Sequence, residues 1–187
     1  MATIRIEGAE TLGRLAVRVE GANARLLAQT LNRAMAPSAT KVRRELAAHT
    51  GAPYRRVSTV VVPYKASASN LTYQVDAKDG WMSLKDFSAR EVRAGTSAAP
   101  WKKRRLFTGA FMMGGPKGGR VPVAKLNGHV FVRSSKERLL IRKLWGPNIA
   151  REMIRDGAAP VIVWREDVER LPLLIMREVK RRIEAGA

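Results

Sequence analysis

Apolar and polar positions alternate briefly at the start of the chain, where Ile4 and Ile6 interleave with Thr3 and Arg5, a pattern that predicts a short strand. From Ala9 the period lengthens. Leu12, Leu15, Val19, Ala22, Leu26, Thr30 and Ala34 follow three- and four-residue spacing and predict a long helix with one apolar stripe. Arg14, Arg18, Arg25 and Arg33 fall on its other faces. Gly13 and Gly21 each weaken such a helix by about 1 kcal/mol relative to Ala, so close packing or a bend is expected there. Pro37 interrupts the stripe, which resumes with Val42 and Leu46 inward and stops at Gly51. Ser38 could cap a new helix, but the reading favoured here is one helix continuing through a kink at the proline.

Beyond Ala52-Pro53-Tyr54 the period shortens. Residues 57–65 are rich in Val and Thr and predict a strand ending around Pro63. Leu71, Tyr73 and Val75 alternate with polar neighbours over residues 70–76 and predict its hairpin partner, followed by a turn at Asp79-Gly80. Further strands are expected near 91–97, 109–113, 128–133 and 138–144, with the Gly-Gly-Pro-Lys-Gly-Gly segment at 114–119 as a mobile loop tip. Gly146-Pro147 should end the last strand and open a short helix, with the proline in its first turn. After a break at 157–160, Val161, Trp164, Val168, Leu171, Leu174 or Ile175, Val179 and Ile183 recur at helical spacing, with a bend at Pro172. The pattern predicts one α+β domain over residues 1–187, an antiparallel sheet flanked by a long N-terminal helix and a C-terminal helix. Its parts are a helical segment at 9–50, a β-rich segment at 57–145 and C-terminal helices at 147–187.

Charge adds to this picture unevenly. The 187 residues hold 35 Lys and Arg against 16 Asp and Glu, net +19. Between Lys85 and Lys143 the ratio is 15 to 3, so most of the excess lies in the Gly-punctuated β-rich segment. An excess of this size calls for an acidic partner, through counterion release and electrostatic steering, or for an assembly that shares the field. Cysteine is absent, which removes disulfide frameworks, thiol chemistry and zinc-finger spacings. The first residues lack a signal-peptide pattern, and the longest apolar runs fall far short of the roughly 18 residues of a membrane span, so a soluble protein is expected.

Catalytic chemistry finds little support. His49 and His129 have neither each other nor other ligand types at metal-binding spacing, and a structural or solvated role is expected for both. Ser38, Ser58 and Ser83 lie outside any nucleophile-elbow context. Asp86 and Glu91 are surrounded by Lys85, Arg90 and Arg93, as ion pairs would be. The glycine-rich loop lacks the spacing and strand-to-helix setting of a phosphate loop. Neither an enzyme nor any cofactor or metal is expected.

The densest positive point is Trp101-Lys102-Lys103-Arg104-Arg105, an aromatic beside a cationic run, with Lys117 and Arg120 extending the field. No recognition helix or RNA-binding signature accompanies it, so nucleic-acid contact would be with phosphates and tolerant of sequence. The same residues could instead line a subunit interface and pair with Glu152, Glu166, Asp167 and Glu169 of a neighbouring copy.

Several short pieces, taken in order, resemble the phage minor tail protein Z, or tail completion, family. They are Leu31-Asn32-Arg33 near the end of the first helix, then Leu84, Asp86, Phe87 and Arg90, then Gly109-Ala110-Phe111, then Val130 to Arg133. Last comes Leu140 through Leu144 into Trp145-Gly146-Pro147, where Leu140 replaces a common Pro and Trp145 a common Tyr, both keeping apolar character. The resemblance covers roughly residues 25–180. It implies a structural virion protein that forms a ring, commonly sixfold, at the head-proximal end of a long tail. Its expected partners are further copies of itself, tail terminator, tail tube or head–tail connector proteins, and the DNA passing through the lumen. It would be assembled in the host cytoplasm and located in the neck of the virion. On this reading Lys102, Lys103, Arg104, Arg105, Lys117 and Arg120 face DNA or an acidic neighbour. Asp86, Phe87, Arg90, Trp145, Gly146 and Pro147 fix the fold and the subunit contact. The alternatives are a sequence-tolerant nucleic-acid-binding protein of ribosomal or nucleoid type and, third, a morphogenesis factor missing from the finished particle.

Overall fold

The computed structural model describes residues 2–5, 24–78, 80–113, 126–135, 140–155 and 157–186. The first predicted helix is present as α1 (Ala24–Thr50), and it runs through Pro37 as one element. The predicted stretch from Ala9 to 23 lies outside the described residues, as does the Gly-rich segment 114–119. Leu27, Leu31, Met35, Ala39, Val42 and Leu46 are all buried, at the three- and four-residue spacing that aligns side chains along one face; this line lies one residue on from the expected Leu26, Thr30 and Ala34, of which Leu26 and Ala34 are only half-buried. That face packs on the C-terminal helix, which presents Trp164, Leu171, Ile175 and Val179. Each such side chain contributes roughly 1.5–3 kcal/mol by leaving water. The helices run antiparallel, since Arg33 pairs with Glu178 at 3.0 Å and Lys41 with Asp167 at 2.8 Å.

The next predicted strand is overturned in its first half. Tyr54–Val60 forms a short helix, α2, and only Val61–Tyr64 is a strand, β2. Pro53 starts the helix, its carbonyl accepting from the amides of Arg56 and Val57. The hydroxyls of Ser58 and Thr59 turn back onto the Arg55 carbonyl, which satisfies these polar side chains within the helix. Val57 is fully buried, so packing outweighs propensity here. With β1 (Ala2–Arg5), β2 and β3 (Gln74–Ala77) make an antiparallel sheet in the order β1-β3-β2, and the expected hairpin partnership of β2 and β3 is present.

Strand β4 (Trp81–Ser83) leads into a 3-10 turn at Leu84–Asp86. The single strand expected near 91–97 is a hairpin instead, β5 (Arg90–Val92) and β6 (Gly95–Ala98). Gly95 makes the tight entry into β6 possible. Its φ is +153°, and a Cβ there would meet the Phe107 carbonyl oxygen at 2.2 Å. The basic run feeds a strand that the pattern did not predict, β7 (Arg105–Thr108), completing the sheet β5-β6-β7. Strands β8 (Phe111–Met113), β9 (His129–Arg133) and β10 (Ile141–Lys143) form another antiparallel sheet in the order β10-β9-β8.

Pro147 corrects a further expectation. It lies within a strand, β11 (Trp145–Asn148), that pairs with β4 across an irregular register, matching Trp145 to Ser83 and Asn148 to Trp81. The proline has no amide to give to the ladder, and it lies where the register slips. Helix α3 (Ile149–Ile154) therefore starts after it, with the Asn148 side chain accepting from the Arg151 amide at 3.2 Å. Helix α4 (Ala159–Gly186) carries Pro172 inside. The fold is α+β with antiparallel strands between long N- and C-terminal helices. Among the described residues the strands divide over four small sheets instead of one. Among the same residues no helix is long and apolar enough to cross a membrane.

Candidate functional site

The basic run is held out from the protein by a strained turn. Trp101 and Lys102 take positive φ values of 51° and 57°, a left-handed conformation that costs a non-glycine residue roughly 1–3 kcal/mol. Contacts around the turn offset that cost. Gly51, φ +75° at the end of α1, would place a Cβ 2.9 Å from the Lys102 amide nitrogen, so only glycine lets the turn dock there. The Trp101 indole N–H donates to Glu152 at 3.1 Å, and the other oxygen of that carboxylate meets His49 at 2.9 Å. Trp101 is thus an anchor for the run and not the free stacking surface its neighbours implied. Lys102, Lys103, Arg104 and Arg105 are exposed, and Arg104 reaches the Ser97 hydroxyl at 3.1 Å. Lys117 and Arg120 lie outside the described residues.

The neighbouring acids divide differently from expectation. Glu152 is committed to His49 and Trp101, and Asp167 to Lys41. Of the four acids offered as counter-charges for a neighbouring copy, only Glu166 and Glu169 are exposed. Burial works to raise the pKa of Asp167, but hydrogen bonds from Lys41 and Ser38 win and hold it below the usual carboxylate range.

Two of the motif residues, Phe87 and Gly146, meet in one joint. Phe87 is almost fully buried, and its ring lies where a side chain on residue 146 would go: a Cβ on Gly146 would be 2.4 Å from its Cε2. Pro147 is buried beside it, and Asp86 pairs with Arg56 at 3.3 Å. The Phe87 carbonyl accepts from the Ala99 amide at 2.9 Å, tying the joint to the base of the basic run. Arg90 is exposed on β5 opposite Ser97, away from the joint. The Leu31-Asn32-Arg33 piece is mid-helix instead of at its end. Asn32 exchanges two hydrogen bonds with the backbone of Ala66, at 2.9 and 2.7 Å, and Arg33 holds Glu178.

Sequence reasoning missed a groove of about 410 Å³ between β4, β11 and the β9–β10 hairpin. Trp81 and Trp145 line it, each about half exposed. The Lys143 ammonium sits 3.9 Å from the centre of the Trp145 ring, and the Arg151 guanidinium 5.4 Å from that of Trp81. His129 lies in its wall, with Nδ1 2.6 Å from the Ser83 hydroxyl and Nε2 3.3 Å from Lys143. An ammonium only donates, so Nε2 accepts and the Nδ1 proton goes to Ser83. Burial first, then Lys143 and Lys85, depress the His129 pKa. A serine beside a histidine invites comparison with a nucleophile–base pair. Here a cation stands where an orienting carboxylate would be, the imidazole is a weakened base, and Ser83 is buried. Among the described residues, no three His, Asp or Glu side chains converge as a metal site.

No family model matches the chain, and no curated protein or solved structure is detectably similar to it.

Proposed function

We propose that this chain is a structural virion subunit of a long-tailed phage, forming a ring at the head-proximal end of the tail that completes the tail and supports head–tail joining around the DNA channel. The observation that carries the reading is the Phe87–Gly146 joint. Two pieces on which the family resemblance rests, about 60 residues apart in sequence, are mutually required in space. A third piece, Asn32 and Arg33, likewise makes long-range contacts that fix α1 to the rest of the fold.

The exposed run at Lys102 to Arg105 supplies the contact with DNA phosphates in the lumen or with an acidic neighbouring protein, without choosing sequence. A closed ring needs two different complementary patches on each subunit. Tail terminator, tail tube or connector proteins are the neighbours such a ring would meet, with the virion neck as its place. The second reading, a free nucleic-acid-binding protein of ribosomal or nucleoid type, draws on the same run, whose cations make no ion pair among the described residues.

Light scattering on the purified chain, paired with gel shifts across a salt series, separates the two. A ring that holds DNA weakly supports the tail reading. A monomer binding DNA tightly, with a steep loss of affinity as salt rises, overturns it in favour of the second.

A further inference from the structure

We propose that the groove between β4, β11 and the β9–β10 hairpin is a binding site for single-stranded nucleic acid, with bases stacking on Trp81 and Trp145 and phosphates meeting Lys78 and Lys143. The site is separate from the 102–105 run and does not depend on the virion reading.

The first observation is the aromatic surface. Trp81 and Trp145 are 52% and 50% exposed, on paired strands whose register sets Trp145 opposite Ser83. Trp81 stands two residues before Ser83 on β4, the register slips between the two pairings, and both indoles line the same groove. Each indole holds a cation against its ring, while about half of its surface stays in water. Two such surfaces in one groove match a ligand with flat apolar faces.

The second observation is the charge. Arg56, Lys78 and Lys143 line the groove, and Arg151 stands behind Trp81. Among the described residues no carboxylate pairs with Lys78, Lys143 or Arg151, and none lines the groove. His129 holds Lys143 at the wall through its unprotonated Nε2, which fixes the ammonium beside Trp145. Flat faces bordered by cations make the chemistry of a nucleotide chain. An acidic peptide would satisfy the cations and leave both indoles wet. A duplex keeps its bases inside and has no free face to offer. The groove volume, about 410 Å³, falls within the range of about 300–1,000 Å³ typical of small ligands, enough for one nucleotide unit at a time.

The test is a fluorescence titration of the whole chain with a twelve-residue oligothymidylate, a duplex of the same length and an oligoglutamate peptide. The single strand should quench tryptophan emission to saturation, while duplex and peptide bind without comparable quenching. Trp81→Leu and Trp145→Leu should each weaken single-strand binding by roughly tenfold. Neutralising Lys102 to Arg105 should lower affinity for both strand types and leave the quench amplitude of the single strand unchanged. Photocrosslinking of the oligothymidylate to the unmodified protein, mapped by mass spectrometry, guards against a tryptophan variant that fails to fold. Crosslinks at Trp81 or Trp145 support the site. Equal quenching by duplex or peptide, crosslinks confined to the 102–105 run, or folded tryptophan variants that bind as well as the parent would each overturn it. None of these results bears on whether the chain forms a ring.

Discussion

The helical half of this protein and its β-rich half treat charge in opposite ways. Between α1 and α4, cations meet carboxylates across the helix pair: Arg33 with Glu178, Lys41 with Asp167. At the end of α1, His49 is likewise hydrogen-bonded to the Glu152 carboxylate. In the β-rich half the exposed cations at 102–105 and around the tryptophan groove have no carboxylate among the described residues, apart from the Arg56–Asp86 pair. The first arrangement closes the fold on itself. The second leaves the charge unpaired within the subunit, and it is built at a cost, since the run leaves from two left-handed residues. Paired charge and unpaired charge are thus separated along the chain.

Breaking the joint beneath the β-rich half should have the largest effect. Phe87→Ala removes a buried ring and should cost about 3–5 kcal/mol in a denaturant melt. Gly146→Ala should cost about 1–3 kcal/mol, because the ring it meets is enclosed and cannot swing away. The double variant Phe87→Leu with Gly146→Ala should be less destabilised than the sum of the singles, as coupled neighbours are.

In the helical half, Asp167→Asn should cost about 1 kcal/mol, the loss of a partly buried ion pair. The folded-state pKa of Asp167 is depressed, so its contribution is full above the unfolded value of about 3.9 and is lost as pH falls through the folded value. Acid melts below about pH 4 should be flatter in the variant than in the parent.

His129 provides the corresponding test on the other side. Its folded pKa is also depressed, with Lys143, Lys85, Arg56 and Asp86 facing it, so its contribution is present above about pH 6.5 and fades as pH falls below. Nuclear magnetic resonance should find the imidazole titrating below the ordinary histidine value, and His129→Gln should remove that part of the pH dependence. The smallest effect on stability belongs to the basic run. Replacing Lys102, Lys103, Arg104 and Arg105 by Gln should change it by less than about 0.5 kcal/mol, while reducing the salt dependence of DNA binding.

Periodicity made the helices legible. The stripe from Trp164 to Val179 is a buried face, and the first helix passes Pro37 as its pattern implied, but its buried line runs through Leu27, Leu31 and Met35, one residue on from the Leu26, Thr30 and Ala34 that the spacing picked out. The short strands were less legible. A three- or four-residue strand carries too few alternations to mark its ends, so the hairpin at 93–94 read as one strand and residues 57–60, the last of the short helix, read as β. The 102–105 cluster was visible as charge, but the left-handed turn that presents it was not, because Trp and Lys give no sign of positive φ. The Phe87–Gly146 contact and the tryptophan groove arise from strand pairing between distant segments, which spacing along the chain does not encode.

The central claim is that the unneutralised cations of the β-rich half face a polyanion or an acidic neighbour because many copies close around a common axis. Electron cryomicroscopy of the particle that carries this chain tests it most directly. The account predicts a closed ring of this subunit in the neck, with Lys102 to Arg105 turned toward the lumen or the next protein. A particle whose neck lacks the chain, or a protomer with that run pointing into bulk solvent, would contradict it.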